Sequence, residues 1–401
     1  MRFTRRGVIA GGAALTLVRP GSASAQAPLV LRAAVAGISL GDVALPTPAL
    51  NGSALGPALE LRRGRPFALK VENALDFTFH FRTQGLRGHA VSGNDMPINP
   101  GETRDIAITA PDAGSFLYRV ESQGPAAGRT VFLSGAITVT ADTQRIADQD
   151  VVLAVNTLIL PAEGTATPRR IPLVNGARQF ALKAQPGERL RLRIVNLSPD
   201  TIGGLALPGQ AMVIARDGQP CEPFPPAESV VILPPLGRMD VVIDLLGEPA
   251  SLQILDPFVP DAVLGTIAVS GTAVGERVLA KTLPDNTALP KQIPLQSATR
   301  LSWKQGTTPP GPIARVKAGA SVVLTVENSD ALHALLLDGL TARLLDAMDD
   351  GWKPWWVDAL LVNPGETARL AFVAPTPGRF ALDLVPLEGN APPSRAWLDV
   401  V

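Results

Sequence analysis

The sequence predicts an all-β protein of three consecutive β-sandwich domains, and three observations carry that reading. Glycine and proline number 37 and 38 among 401 residues, a share that favours short strands joined by turns over long helices. A strand-like unit occurs three times. Gly64 leads through Phe67-Ala68-Leu69-Lys70-Val71-Glu72 to Asn73, Gly187 through Leu190-Arg191-Leu192-Arg193-Ile194-Val195 to Asn196, and Gly319 through Val322-Val323-Leu324-Thr325-Val326-Glu327 to Asn328. Each Gly-to-Asn step is nine residues, and the copies start 123 and 132 residues apart, a domain-sized spacing. The third observation is a companion element. Pro100-Gly101-Glu102-Thr103 precedes an alternating run from Asp105 to Ala110 and then Gly114-Ser115-Phe116-Leu117-Tyr118. Pro364-Gly365-Glu366-Thr367 precedes Arg369 to Ala374 and then Gly378-Arg379-Phe380-Ala381-Leu382, again with glycines thirteen residues apart.

Period-two alternation in these runs means strands with one buried face, and the Pro-Gly corners mean antiparallel connections. The middle copy is looser, with Pro235-Leu236-Gly237-Arg238 ahead of Asp240 to Leu245. The strand pattern gives way to polar, turn-rich stretches near Ala141 and Gly275, so the domains are read as 26–141, 142–275 and 276–401. Units of this size can each hold a core.

Residues 1–25 read as an export signal. Thr4-Arg5-Arg6-Gly7 is followed by an apolar run from Val8 to Val18 and by small residues ending at Ala25. That apolar run is too short to span a bilayer as a mature helix. The paired Arg5-Arg6 resembles a twin-arginine signal, with cleavage expected after Ala25 and the mature chain expected in the periplasm. No other segment has the length and apolarity of a membrane span.

Composition limits the chemistry. Thirty-six basic residues balance 36 acidic ones, which argues against a nucleic-acid protein. One cysteine, Cys221, excludes an intramolecular disulfide and any multi-thiolate metal site, and His80, His89 and His333 are the only imidazoles.

Taken in order, several motifs resemble those of the three-domain multicopper oxidases. They are Leu50-Asn51-Gly52-Ser53 with Gly56-Pro57, Asn73, and Gly85-Leu86-Arg87 in the first unit. The second unit has Leu173-Val174-Asn175-Gly176, Arg191 to Asn196, Ile214-Ala215-Arg216-Asp217-Gly218 and Gly237-Arg238-Met239-Asp240-Val241. The third has Asn363-Pro364-Gly365-Glu366-Thr367 and Gly378-Arg379-Phe380. The resemblance covers nearly the whole mature chain and implies cupredoxin-like Greek-key sandwiches. It also implies His-rich motifs that hold a trinuclear copper cluster between the first and third domains, and a blue copper in the third.

Those ligand positions carry other residues. Arg82-Thr83-Gln84-Gly85 stands where the family's first His-x-His-Gly belongs, and Arg119-Val120-Glu121 where the next His-x-His belongs. In the third unit His333 keeps the first position of its motif, while Leu336 and Asp338 take the other two ahead of Gly339. Asp383-Leu384-Val385 replaces His-Cys-His, and the remaining His and Met positions fall near Gly389 and Ser394. Cys221 lies in the second unit, far from the copper motif. The resemblance therefore implies a family member with no metal, no cofactor and no oxidase chemistry.

Two readings of the replaced positions stand side by side. In one, Arg82, Arg119, Glu121, Asp338 and Asp383 pair across the first and third domains and plug the former cluster space. In the other, that space has collapsed and the charges face solvent. His80 and His89 with Met96 form a weak candidate for a stray Cu(I), and His333 reads as a satisfied domain-edge histidine. Trp352 and Trp355 are candidates for an exposed partner patch, whereas Trp356 reads as packing.

For function, the resemblance points to a non-catalytic scaffold or binding protein of the cell envelope of the copper-free FtsP/SufI type, with a link to cell division. Its partner, an envelope protein or cell-wall component, is not named by the sequence. The alternatives are an oxidoreductase with an atypical residual metal site and a periplasmic small-ligand binding protein.

Overall fold

The computed structural model describes residues 28–40, 43–93, 96–122, 131–142, 145–160, 169–346, 351–387 and 392–401. The expected export signal and the Gly389 position lie outside the described residues, as does the side chain of Trp352. Among the described residues the structure is strands and turns, with a single short 3-10 turn at Ala227–Ser229. No described helix is long and apolar enough to cross a membrane.

The strands form three cupredoxin-like β-sandwiches. The first pairs a five-stranded sheet, centred on Phe67–Asn73, with a four-stranded sheet of Leu59–Arg62, Phe132–Thr140, Gly114–Ser122 and Phe79–Gln84. The second pairs a six-stranded sheet containing Arg189–Asn196 and Arg238–Asp244 with a five-stranded one. Two five-stranded sheets make the third, one containing Ser321–Glu327 and the other Gly378–Pro386 flanked by His333–Leu337 and Ser394–Val400. Each sandwich has its own apolar core, with Phe79, Phe81, Phe116 and Tyr118 in the first, Leu192 and Ile194 in the second, and Leu335, Phe380 and Leu384 in the third. Burying each such side chain contributes about 1.5–3 kcal/mol. Residues 276–298 contain no strand; Leu283 packs on the second sandwich and Ile293 on the third.

The thrice-repeated strand is an internal strand of one sheet in every sandwich, and its terminal asparagine explains the repeat. Asn73, Asn196 and Asn328 are all buried. Asn73 donates to the carbonyls of Phe77 and Ile98, both at 2.9 Å. Asn196 donates to Thr201 and Pro234 at 2.8 and 2.9 Å, and Asn328 to Val362 and Asn363 at 2.8 and 3.0 Å. One amide thus satisfies loop carbonyls that the sandwich corner buries, which no apolar residue of that size can do.

Alternation along the strands decides which residues reach the next domain. In Phe79–Gln84 the side chains of Phe79 and Phe81 enter the first core, so His80, Arg82 and Gln84 point the other way. In Gly114–Ser122, Phe116, Tyr118 and Val120 point in while Leu117, Arg119 and Glu121 point out. Leu382 and Leu384 likewise enter the third core and leave Asp383 and Val385 on the outer face, beside Arg395 and Trp397. The outer faces of these two sheets meet.

Candidate functional site

A cleft of about 610 Å³ opens between those faces. His80, Arg82, His89, Asp338, Asp383 and Arg395 are among its lining residues. Antiparallel pairing sets Arg82 directly opposite Arg119, a like-charge pair that would repel without a counterion. Asp338, from the third sandwich, supplies it, with carboxylate distances of 3.5 Å to Arg82 and 3.8 Å to Arg119. Asp338 is held by its backbone N–H, which donates to the Ala381 carbonyl at 3.0 Å.

The other two carboxylates use a partner that motif reasoning missed. Arg395 donates to Glu121 at 2.6 Å and lies 3.3 Å from Asp383, its cross-strand neighbour. Burial alone would raise the Glu121 pKa, but Arg119 and Arg395 outweigh it and hold the carboxyl below its ordinary range. Burial wins at Asp383, whose pKa is raised despite Arg395 and Arg119. At His80, burial and the neighbouring Arg82 push the imidazole pKa down. His89 sits across the cleft against Phe380, with ring centres 5.2 Å apart. Gly378 permits that approach, because a β-carbon there would fall 1.7 Å from His89 Nε2.

Behind the cleft lies a second charge network, closed to solvent and shared by all three sandwiches. Arg119 donates to Gln84 Oε1 at 3.0 Å, and the Gln84 amide donates to the Leu337 carbonyl and to Asp358, both at 3.1 Å. Asp358 receives a bidentate pair from Arg238 at 2.5 and 2.6 Å, both side chains being 0% exposed. Arg238 also donates to the carbonyls of Ser115, Leu236 and Asp217. Asp217 accepts from the backbone N–H groups of Arg238, Asp358 and Ala359. Arg238 crosses from the second sandwich to the third past Gly85, where a β-carbon would sit 2.1 Å from its guanidinium. Burial raises the Asp358 pKa to about 6 even so.

The remaining replaced positions are apolar or locally satisfied. Leu336 and Val385 join Leu117, Leu197, Leu236 and Ala359 in a hydrophobic cluster at the three-way junction, and Leu384 enters the third core. His333 is buried, with Nδ1 2.9 Å from the Ala331 carbonyl. Trp355 corrects the expectation of an exposed patch. It stacks on Phe224 of the second sandwich at 5.1 Å, with Arg216 5.3 Å from its ring, because the Trp352–Val357 strand packs against Gln219–Phe224. Cys221 is half-buried and burial pushes its thiol up to about 12, far from a reactive thiolate. Among the described residues, no three His, Cys, Asp or Glu side chains converge as a metal-holding group.

Comparison with known proteins agrees with this architecture. A family model described as multicopper oxidase matches residues 38–144. The multicopper oxidase MmcO of Mycobacterium tuberculosis is 24% identical over 251 residues, covering 51% of this chain and 46% of that protein. A multicopper oxidase of Staphylococcus aureus is 26% identical over 215 residues, covering 49% and 48%. This chain thus spans about half the length of the curated relatives it matches. The crystal structure of a multi-copper oxidase from Pseudomonas thermotolerans superposes with a TM-score of 0.78 at 23% identity, over 93% of this chain and 99% of that one, a likeness of fold. The family model on residues 38–144, the curated relatives and the shared three-sandwich fold together support membership of the multicopper oxidase superfamily.

Proposed function

We propose that this chain is a copper-free, non-oxidase member of the superfamily that works as an exported binding protein of the cell envelope. The observation that carries the reading is the cleft itself. Two guanidinium groups share Asp338, and a third sits against Glu121 and Asp383, between the sandwiches where the family resemblance implies imidazoles. The residues present do not fit a copper cluster. Arginine keeps its proton at any physiological pH, offers no lone pair to a metal and repels a cation. Leu336, Leu384 and Val385, at three of the other positions, offer no donor at all.

The export signal read in residues 1–25 supports an envelope location, and the resemblance to the FtsP/SufI type suggests cell division as the process. A second reading, an oxidoreductase with a residual metal site, draws on His80 and His89 lining one cleft. Dioxygen uptake with a phenolic substrate, measured on protein purified with added copper, separates the two. The copper-free reading expects no uptake above a protein-free control. Copper-dependent uptake that is lost in His80→Ala would favour the second reading.

A further inference from the structure

We infer that the second sandwich docks reversibly on an anionic phospholipid surface, through the apolar tip at residues 257–260 and the guanidinium groups of Arg170 and Arg178 beside it. The inference rests on the envelope reading, which it deepens by naming the membrane as partner, and it does not depend on the chemistry of the cleft.

The tip joins the strands Ala250–Leu255 and Val263–Val269. Its backbone is closed on itself, since the Asp256 N–H donates to the Ala262 carbonyl and the Phe258 N–H to the Asp256 carboxylate, both at 2.8 Å. Phe258 and Val259 are nevertheless 53% and 49% exposed. Pro257 continues the patch toward Ile232, and the two side chains flank Gly204. An apolar turn whose backbone bonds are already made can enter the boundary between headgroups and acyl chains without stranding polar groups there.

A groove at the foot of the tip is lined by Arg170, Pro172, Arg178, Gln179, Ala262 and Val263 among others, with no carboxylate in the lining. The Gln179 amide ties its two sides together by donating to the Val263 carbonyl at 3.3 Å. Arg170 is exposed, and Arg178 Nε and Nη2 have no acceptor. That pair of nitrogens is one edge of a guanidinium, the edge that takes two phosphate oxygens. Two carboxylates belong to the tip itself. Asp256 is buried and spent on the Phe258 N–H, whereas Asp261 is exposed and opposes an anionic surface. Free guanidinium groups beside an exposed apolar turn match lipid phosphates above an acyl layer. An added peptide strand is a poorer fit. Arg169–Val174 is the edge of its sheet, and Pro172, which has no N–H, blunts that edge.

The experiment is cosedimentation of the exported chain, recovered from the periplasm without the apolar run of residues 8–18, with vesicles. Vesicles containing phosphatidylglycerol are compared with vesicles of phosphatidylcholine alone. Binding should be confined to the first and should weaken at high salt. Arg170→Gln and Arg178→Gln should each weaken it about fivefold, and Phe258→Ser with Val259→Ser by about tenfold. Asp261→Asn should strengthen it. A folding fault would weaken binding in every variant, and circular dichroism checks that each is folded. Equal binding to both vesicles or to neither would overturn the inference. So would indifference to the arginines or to the Phe258 and Val259 pair, weaker binding by Asp261→Asn, or capture of inorganic phosphate without capture of vesicles. A chain found in the cytoplasm with residues 1–25 attached would instead overturn the export reading, and the same variants compared at that fixed N-terminus still test the docking.

Discussion

Two charge networks lie side by side in this molecule, and they solve the problem of a buried arginine differently. Around Arg238, the five guanidinium N–H groups meet five acceptors from Ser115, Leu236, Asp217 and Asp358, with no exposure to solvent. Around Arg82 and Arg119, one aspartate at 3.5 and 3.8 Å serves two cations, Arg119 Nε has no partner, and a cleft adjoins them. The first arrangement uses every guanidinium donor, which offsets much of the cost of desolvating charge, although burial still raises the Asp358 pKa. The second does not complete its hydrogen bonds, and it coincides with open space. Full satisfaction makes a joint between three domains, and partial satisfaction leaves the interface open to water.

Perturbing each network should sharpen that contrast. The largest loss is expected from Arg238→Met, which strands Asp358 and Asp217 in the interior. Urea unfolding should show destabilisation by about 3–5 kcal/mol, and a loss under about 1 kcal/mol would remove the joint from the account. Gly85→Ala should come next, at about 1–3 kcal/mol, because its added carbon displaces the Arg238 guanidinium. Combined with Arg238→Met it should cost less than it does alone, the remaining loss coming from a β-carbon at a φ of +90° and its contact with Phe116.

A smaller effect is expected from pH. Asp358, moved by burial from 3.8 to about 6, and Asp383, also raised by burial, take up protons in the folded chain before the unfolded one does. Stability should therefore rise as pH falls from roughly 6 to 4. Asp112 and Glu121 have the opposite sign. Burial there is outweighed by arginine partners, so their stabilisation is complete above the ordinary carboxylate range and lost in stronger acid. The melting temperature should peak in mild acid, and Asp358→Asn should flatten the rise toward that peak. The smallest stability change is expected for Arg82→Gln, under about 1 kcal/mol by thermal melts, since its pair is loose and half-open to water.

Much of the fold was legible because its signals are local. The period-two pattern placed the strands, and the Gly-to-Asn step found the buried asparagine that closes each corner. Alternation also contains the facing of the replaced positions, for Arg82 must point away from the core that Phe81 enters. Contacts between elements distant in sequence were harder to read. Arg395 lies twelve residues beyond Asp383, and only the pairing of Gly378–Pro386 with Ser394–Val400 brings the two together. The bond from Arg238 to Asp358 spans two domains, and nothing in the spacing of either residue signals it. Trp355 is only a candidate for an exposed patch on sequence alone, because the Phe224 ring it stacks on belongs to another sandwich.

The most direct test of the central claim is copper retention. The purified chain would be equilibrated with excess copper, passed over a chelating resin and assayed for bound metal together with its visible spectrum. Protein stripped of copper and colourless is the predicted result. Copper retained in stoichiometric amount, with blue absorbance, would contradict an interface built of ion pairs in place of metal.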